Sequence, residues 1–288
     1  MIIDAHNHPD WHGKDMDQIL ADMDAHGIDQ SWMLTWECPE DEYDPDQRNL
    51  QNVDCYGSNF PVPFSRCLAY HRAHPDRFVL GFAPDPRRPE SQDRLEAAIN
   101  QHGVRVYGEL KARMMYDNPD AIRMFRFCGE KKLPVILHIE YPIPLNQKYP
   151  RPHWWYGGGM EPVERVLAQC PETTFLGHAL GFWACISDDG QHLTDFYPKG
   201  KVVGEGKLIR MLRQYPNLWC DISANSGRNA LARDPEFTRG FLTEFQDRVV
   251  FARDMFGGAH QELLESLDLP KEVLDKIYYQ NAKRLLGE

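Results

Sequence analysis

The chain has 288 residues, of which 42% are hydrophobic and 26% are charged. This length allows a large buried core and lies near the ~250 residues typical of one α/β barrel, which favours a single domain over residues 1–288. The formal net charge of −11 excludes a strongly basic surface, and therefore argues against nucleic acid as a partner.

Short β-rich segments recur along the whole chain and alternate with segments of helical spacing. Several helix ends carry capping residues, such as Gly27, Gly103 and the pair Asn118-Pro119. The predicted helices include residues 16–26, 89–102, 120–132 and 270–286. The eight predicted strands are residues 1–5, 31–35, 78–83, 104–111, 134–140, 173–177, 218–222 and 249–252.

Eight such β/α units close most naturally into a (β/α)8 TIM barrel. Continuous apolar strands such as residues 134–137 are typical of a parallel sheet that is buried on both faces. Two loops, after strands 2 and 5 at about residues 36–63 and 141–160, are unusually long. Loops of this length in a compact domain are usually functional, and we expect both at the mouth of the barrel.

The composition also predicts where the protein resides. No window reaches the roughly 18 apolar residues of a membrane span, and the first residues lack the charge and apolar core of a signal peptide. The seven cysteines are odd in number and form no CxxC pair, which predicts reduced, buried side chains. We expect a cytoplasmic protein without a membrane partner, and the sequence leaves homo-oligomer formation open.

The first strand ends in His6 and His8. Alternate side chains of a strand share a face, so both imidazoles can bind one cation. Other strands also end in polar residues, and the carboxyl ends of all strands meet at the mouth of a barrel. Histidine and carboxylate ligands favour Zn²⁺, ahead of Mn²⁺ and Fe²⁺. The predicted metal-site residues are His6, His8, Glu109, His138, His178 and Asp254.

These residue types suit hydrolytic chemistry for a physical reason. A cation held by neutral imidazoles lowers the pKa of a bound water from 15.7 to about 7, and a nearby carboxylate can move its proton. Asp254 ends strand 8, which adjoins strand 1 in a closed barrel. It could bind the metal, act as the base, or do each in turn.

Two residues of strand 4 allow several interpretations. Glu109 is either a metal ligand or the partner of Lys111, Arg113 or Arg105 in an ion pair. Lys111 shares the face of Glu109 by alternation. It could orient Glu109, bind a substrate carboxylate, or be carbamylated as a bridge between two metals.

Three further residues are candidates for contact with substrate. Trp154 and Trp155 lie in the loop after strand 5, in the run HWWYGGGM, and form either a packed lid or a wall for stacking. Arg228 follows strand 7 and could bind a carboxylate through two hydrogen bonds. A surface salt bridge is the alternative for this arginine.

The motifs together resemble the amidohydrolase superfamily, and specifically its amidohydrolase 2 branch of metal-dependent (β/α)8 barrels. The resemblance spans the chain through IDAHNH at 3–8, GELK at 108–111, ILH at 136–138, LGHALGFW at 176–183, Asp254 and YYQNAKRLLG at 278–287. It implies one or two divalent metals, usually zinc, held by His6, His8 and His138. It also implies that Asp254 is a ligand or acid/base, and His178 a second ligand or the group that polarises substrate.

The chain departs from the branch at strand 8. A small residue usually precedes the aspartate there, as in Gly-Ser-Asp, whereas this chain has Ala252-Arg253-Asp254. The branch contains hydrolases of amides, lactones and esters as well as non-oxidative decarboxylases of aromatic and unsaturated acids.

We expect a metal-dependent hydrolase of a small-molecule carbonyl substrate, in which His178 stabilises the oxyanion and Asp254 moves the proton. No GxSxG, P-loop or N-terminal GxGxxG motif favours another scheme. A decarboxylase with the same site is the first alternative, and a non-catalytic metal-binding barrel is the second.

Overall fold

Eight short parallel strands form the centre of the molecule in a computed structural model that describes residues 1–39, 42, 61–142 and 155–288. All eight lie where the sequence predicts a strand. They are β1 (Ile3–Asn7), β2 (Gln30–Met33), β3 (Phe78–Leu80), β4 (Tyr107–Leu110), β5 (Val135–His138), β6 (Phe175–His178), β7 (Leu218–Asp221) and β8 (Val249–Val250).

The strands pair in chain order and close into a ring. Continuous ladders join β1 to β3 and β4 to β8. A parallel bridge between Gly81 and Val106 connects β3 to β4. The N–H of Ala5 donates to the carbonyl of Phe251 over 3.0 Å, which connects β1 to β8. The fold is therefore the expected (β/α)8 barrel.

Helices follow the strands and surround the barrel. The main helices in the described part of the chain are α1 (Met16–Ala25), α2 (Phe64–Ala73), α3 (Ser91–His102), α4 (Pro119–Glu130), α5 (Met160–Gln169), α6 (Leu180–Trp183), α7 (Lys207–Gln214), α8 (Ala224–Ala232), α9 (Pro235–Glu244), α10 (Ala259–Ser266), α11 (Lys271–Asp275) and α12 (Asn281–Leu285). None of the helices described is both long and apolar enough to cross a membrane.

The predicted caps are present at the helix ends. The side chain of Asn118 accepts a hydrogen bond from the N–H of Asp120, with Pro119 in the first turn of α4. Gly103 ends α3 with φ 72°, a left-handed conformation that glycine adopts without steric cost. These short-range signals explain why the sequence located both helices to within two residues.

The last helix differs from the expected continuous element at 270–286. A π-helical turn, Lys276–Gln280, separates α11 from α12. Within this turn, the carbonyl of Ile277 accepts a hydrogen bond of 2.8 Å from the N–H of Phe251. The amide of Asn281 donates to the carbonyl of Val249 over 2.7 Å. The π turn thus attaches the C-terminal helix to the β8 segment.

Two apolar layers hold the barrel together. The larger cluster lies between strands and helices, and includes outward-facing residues such as Leu137 and Phe175. The six described cysteines are free and buried, as expected, and Cys55 lies outside the described residues. The inner cluster fills the barrel itself and contains Ile3, Ala5, Trp32, Leu34, Val79, Val106, Ile136, Leu176, Trp219, Val250, Ala252 and Ala282.

Long connections follow β2 and β5, as the sequence predicts, although much of each lies outside the described residues. A third long connection, between β6 and α7, was not predicted. It contains α6 and two short 3-10 turns, Ala184–Ile186 and Gln191–Leu193. Short 3-10 turns lack a long periodic pattern, so the sequence offers little signal for them.

Candidate metal centre

A layer of polar side chains lies directly above the apolar interior of the barrel. Side chains alternate along a strand, so the residue two positions after an inward-facing one also points inward. The barrel interior contains one residue from each of β5 to β8 or the residues just after them: Ile136, Leu176, Trp219 and Ala252. The rule therefore directs inward the residues two positions later: His138, His178, Asp221 and Asp254.

A β-bulge brings the N-terminal histidines into this layer. Ala5 belongs to the barrel interior, so strict alternation would turn His6 and His8 outward. The register between β1 and β2 shifts between Asp4 and Asn7. The extra residue reverses the alternation, as bulges do. Both imidazoles therefore face the barrel axis. They share one face of the strand, as the sequence predicts.

A second bulge does the same for Glu109. Val106 lies in the interior, and the register of β4 against β5 shifts between Tyr107 and Leu110. Glu109 is consequently directed inward, where its side chain is 3% exposed. Alternation alone directs the polar side chains of β5 to β8 inward. In β1 and β4, a bulge is needed to bring the polar side chains into the same layer.

One group of atoms converges near the first and last strands. His6, His8 and Asp254 each offer one ligand atom within 4.8 Å of the others, and they form a possible metal-binding set. The distance from His8 Nε2 to Asp254 Oδ1 is 3.6 Å. Oε2 of Glu109 lies 3.3 Å from His8 Nε2 and 3.8 Å from His6 Nε2.

The other ring nitrogen of each imidazole has a fixed role. Nδ1 of His6 lies 2.6 Å from Oδ2 of Asp221, and Nδ1 of His8 lies 2.8 Å from the carbonyl oxygen of Leu34. Carboxylate and carbonyl oxygens accept hydrogen bonds, so Nδ1 is the donor in both rings. Each Nε2 then carries a lone pair toward the shared space when the ring is neutral.

The centre of this group has unsatisfied polar atoms. Nε2 of His6 and Oδ1 of Asp254 are buried and have no hydrogen-bond partner among the described residues. A buried polar atom without a partner costs free energy of about 1–3 kcal/mol. Two imidazole nitrogens and a carboxylate are a common donor set for Zn²⁺ and related divalent cations. The residues present thus fit a metal ion.

A second group lies beside the first. Oε1 of Glu109 is 2.6 Å from Nδ1 of His138 and 2.8 Å from Nε2 of His178. Nε2 of His138 is in turn 2.8 Å from Oε1 of Glu140. Both nitrogens of His138 thus contact carboxylates, and Glu109, His138 and His178 form a second possible metal-binding set. Nδ1 of His178 contacts the hydroxyl of Ser223 at 3.0 Å.

The buried charges determine the protonation of the cluster. Burial lowers the pKa of His6, but the carboxylates of Asp221 and Asp254 outweigh it and hold that pKa well above its usual value. Burial and the neighbouring His6 lower the pKa of His178. Burial raises the pKa of Glu109, but His138 and His178 hold it well below its usual range. The carboxylates favour positive charge at His6, and a bound cation would displace its proton.

Lys111 lies beside aromatic side chains at the edge of the cluster. Its side chain is 5% exposed, and Nζ lies 4.1 Å from the ring centroid of Trp36 and 5.3 Å from that of Tyr156. Both contacts are cation–π interactions. The ring of Tyr156 also meets that of His138 edge-on at 5.3 Å. The ammonium group therefore lies beside an aromatic ring that packs on the cluster.

The other predicted substrate contacts are less central. Trp155 is partly exposed at the end of the long loop after β5, and Trp154 lies outside the described residues. Arg228 is exposed on α8. Tyr156, from the same aromatic run, is the residue that reaches His138. The roles of Trp154, Trp155 and Arg228 stay predictions.

Two carboxylates of the site are not among the residues predicted from the sequence. Asp221 contacts His6, and Glu140 contacts His138. Both could have been found by alternation, because Glu140 stands two positions after His138, and Asp221 ends β7 at the height of the other polar strand ends. Residue type identifies the histidines of the site, whereas position along the strand also identifies these two carboxylates.

The unusual residue before Asp254 points away from the site. Ala252 faces inward, so Arg253 faces outward, toward α1, where its side chain is 1% exposed. It forms ion pairs with Asp4 at 2.9 Å and with Asp22 at 2.7 Å. Arg253 therefore adds no charge to the inward face of the barrel and does not contact the space between His6, His8 and Asp254.

Comparison with protein families covers nearly the whole chain. The amidohydrolase 2 family model, described as "Amidohydrolase", matches residues 3–287. A comparison with curated proteins finds no match.

Solved structures with the same fold match over almost their full length. An uncharacterised TIM-barrel protein from Bordetella bronchiseptica has 16% identity and a TM-score of 0.65, covering 99% of this chain and 98% of that one. A dihydroxybenzoic acid decarboxylase from Polaromonas sp. JS666, with manganese and 2-nitroresorcinol bound, has 14% identity and a TM-score of 0.60, covering 99% and 96%. An amidohydrolase from Burkholderia multivorans with bound zinc has 12% identity and a TM-score of 0.62, covering 100% and 99%.

Proposed function

Because this chain belongs to the amidohydrolase family, we propose that it is a metal-dependent hydrolase that cleaves an amide, lactone or ester bond of a small molecule. His6, His8 and Asp254 hold a divalent cation, with Zn²⁺ the first candidate. Glu109, His138 and His178 line the adjoining space, and Glu109 is the residue that decides between one ion and two. The proposal includes a cytoplasmic location.

The observation that carries the proposal is the pair of buried atoms without partners. Nε2 of His6 and Oδ1 of Asp254 have no hydrogen-bond partner among the described residues, and both residues belong to the possible metal-binding set with His8. The opposite nitrogens of the two rings are held by acceptors. A cation can bind all three side chains at once, and it would satisfy both unpartnered atoms.

A divalent cation held here supplies Lewis acidity, which polarises a substrate carbonyl and lowers the pKa of a water molecule to about 7. The side chains supply the rest. Asp254, whose side chain is 14% exposed, would take a proton from the attacking water and deliver it to the leaving group. His178 contacts Ser223 through Nδ1 and Glu109 through Nε2, and its Nε2–H would turn from Glu109 to stabilise a developing oxyanion.

A decarboxylase is the second candidate, and a specific feature favours it. Lys111 places a buried positive charge beside the aromatic ring that packs on His138. Such a cation suits an aromatic or unsaturated acid, whose carboxylate it would bind. In that reaction Asp254 would protonate carbon. The likeness in fold to the manganese-containing decarboxylase agrees with this alternative.

Metal analysis tests the proposal directly. Protein purified without chelator should contain close to one or two equivalents of divalent metal, and the double variant His6→Ala, His8→Ala should contain almost none. The matched control replaces His71 and His102, two histidines on the outer helices α2 and α3, and should keep full occupancy. Full metal content in the His6/His8 variant would overturn the assignment.

A second measurement separates the two reactions. The metal-loaded protein would be incubated with a panel of esters, lactones, amides and aryl acids. Hydrolysis consumes water and releases an acid, whereas decarboxylation releases CO2 without net consumption of water. CO2 release from an aryl acid, with no turnover of the other substrates, would replace the hydrolase by the decarboxylase. Asp254→Asn should reduce turnover at least 100-fold in either case.

A further inference from the structure

We propose that Arg253 is a positioning residue for the metal ligands. Its ion pairs with Asp4 and Asp22 hold β1 and the turn after β8 in the relative position that brings His6 and Asp254 together. The inference rests on the proposed metal site, but it concerns a side chain outside that site, on the opposite face of the strand.

The burial of Arg253 shows that it has a specific structural role. Its side chain is 1% exposed, and Asp4 is fully buried. Nε of Arg253 donates to Oδ2 of Asp4 over 2.9 Å, and Nη1 donates to Oδ2 of Asp22 over 2.7 Å. A buried arginine is stable only when its charge is paired, and here two separate segments supply the partners.

The carboxylate of Asp4 connects the two ligand-bearing strand ends. Its Oδ1 accepts a hydrogen bond of 2.8 Å from the backbone N–H of Arg253. The same oxygen lies 3.4 Å from the backbone nitrogen of His6. The N–H of Asp254 donates to the carbonyl of His6 over 2.8 Å. Any displacement of Asp4 would therefore move both metal-binding residues relative to each other.

Asp22 of α1 fixes the other side of the turn. Its Oδ1 accepts a hydrogen bond of 2.9 Å from the N–H of Gly257, while its Oδ2 holds Arg253. Between Arg253 and Gly257, Asp254 has a φ of 49°, a left-handed conformation that is uncommon outside glycine. Surrounding contacts must hold such a conformation in place. The ion pairs on Arg253 supply them from both sides.

This arrangement explains why a large, charged residue is compatible with the position before Asp254. A small side chain there would leave the buried carboxylate of Asp4 without a cationic partner. Arginine suits the position because its planar group can donate to two carboxylates at once, whereas lysine presents a single ammonium group.

Metal affinity is the readout that distinguishes positioning from general stabilisation. Affinity for Zn²⁺ would be measured by competition with a chromophoric chelator, at a temperature where circular dichroism shows each variant folded. Arg253→Met and Asp22→Ala should each weaken Zn²⁺ binding about 10-fold or more, as loss of an outer partner of a metal ligand typically does. Arg253→Lys should restore part of the affinity lost in Arg253→Met.

Matched controls come from a second buried ion pair. Arg233, the residue after α8, and Asp189, in the segment after β6, form a pair of 2.7 Å with side chains 3% and 10% exposed. Arg233→Met and Asp189→Ala should leave Zn²⁺ affinity within about twofold of the unmodified protein. Equal weakening in these controls would show an effect of stability alone, and would overturn the positioning role.

The outcomes separate this inference from the proposed function. An unmodified protein that binds no Zn²⁺ overturns the proposed metal site itself. Tight binding in the unmodified protein, together with unchanged affinity in folded Arg253→Met and Asp22→Ala, overturns only the role of Arg253. If Arg253→Met does not fold, Asp22→Ala decides, since Asp22 is partly exposed and its loss leaves Asp4 and Arg253 paired.

Discussion

At the scale of single residues, a hydrogen bond at Nδ1 of His6 and of His8 leaves Nε2 of each ring available to bind a ligand. The carboxylate of Asp221 accepts a hydrogen bond from Nδ1–H of His6, and the carbonyl of Leu34 accepts one from Nδ1–H of His8. The tautomer of each neutral ring follows from its acceptor. Residue type predicted the histidines, but it could not identify their acceptors, which come from β7 and from the end of β2.

Asp221→Asn tests this arrangement. The amide lacks the negative charge that draws the proton to Nδ1 of His6 and that favours positive charge at the ring. We expect metal affinity to fall about 10- to 100-fold with little change in fold. A competition titration would measure it, with Asp189→Asn as a control because that carboxylate belongs to a different ion pair. Unchanged affinity would show that Asp221 does not act on the site.

At the scale of elements, two bulges determine which side chains enter the barrel. Alternation predicts the inward face of β5 to β8 correctly, but in β1 and β4 the register shift reverses it. His6 and Glu109 both lie within the stretch over which the register shifts. A bulge depends on pairing with the neighbouring strand, so its position is not encoded in a local pattern.

Helix caps, by contrast, are local and make a separate prediction. Asn118→Ala removes the side-chain acceptor for the N–H of Asp120 at the start of α4. The free energy of unfolding should fall by about 1 kcal/mol. Urea denaturation would measure the change, while metal content should stay the same. The control Asn100→Ala, on the exposed face of α3, should have no destabilising effect. Equal stability of the Asn118 and Asn100 variants would contradict the assignment of the cap.

At the scale of the whole molecule, barrel closure makes one site from the two ends of the chain. His6 and His8 come from the first strand and Asp254 follows the last, and a hydrogen bond from Asp254 to His6 joins them. A metal that binds these residues in the folded state, but not in the unfolded chain, must stabilise the fold by mass action.

Metal removal therefore has a predictable effect on stability. At a free Zn²⁺ concentration 100 times the dissociation constant, binding should add about 2.7 kcal/mol to the free energy of unfolding. Thermal unfolding followed by circular dichroism should show a lower midpoint after treatment with chelator, and recovery when Zn²⁺ is returned. The variant His6→Ala, His8→Ala should not respond. An unfolding midpoint that changes neither with chelator nor with Zn²⁺ would argue against a metal bound by His6, His8 and Asp254.

The sequence by itself determined the eight strands, the ends of α1, α3 and α4, the barrel and the polar residues at the strand ends. These features follow from periodicity and capping, which act over a few neighbouring residues. Only the tertiary structure decided that His138 lies between two carboxylates, that Asp221 holds His6, and that Arg253 faces α1. Each of these depends on strand register and on contacts between residues far apart in the chain, for which no short-range pattern exists.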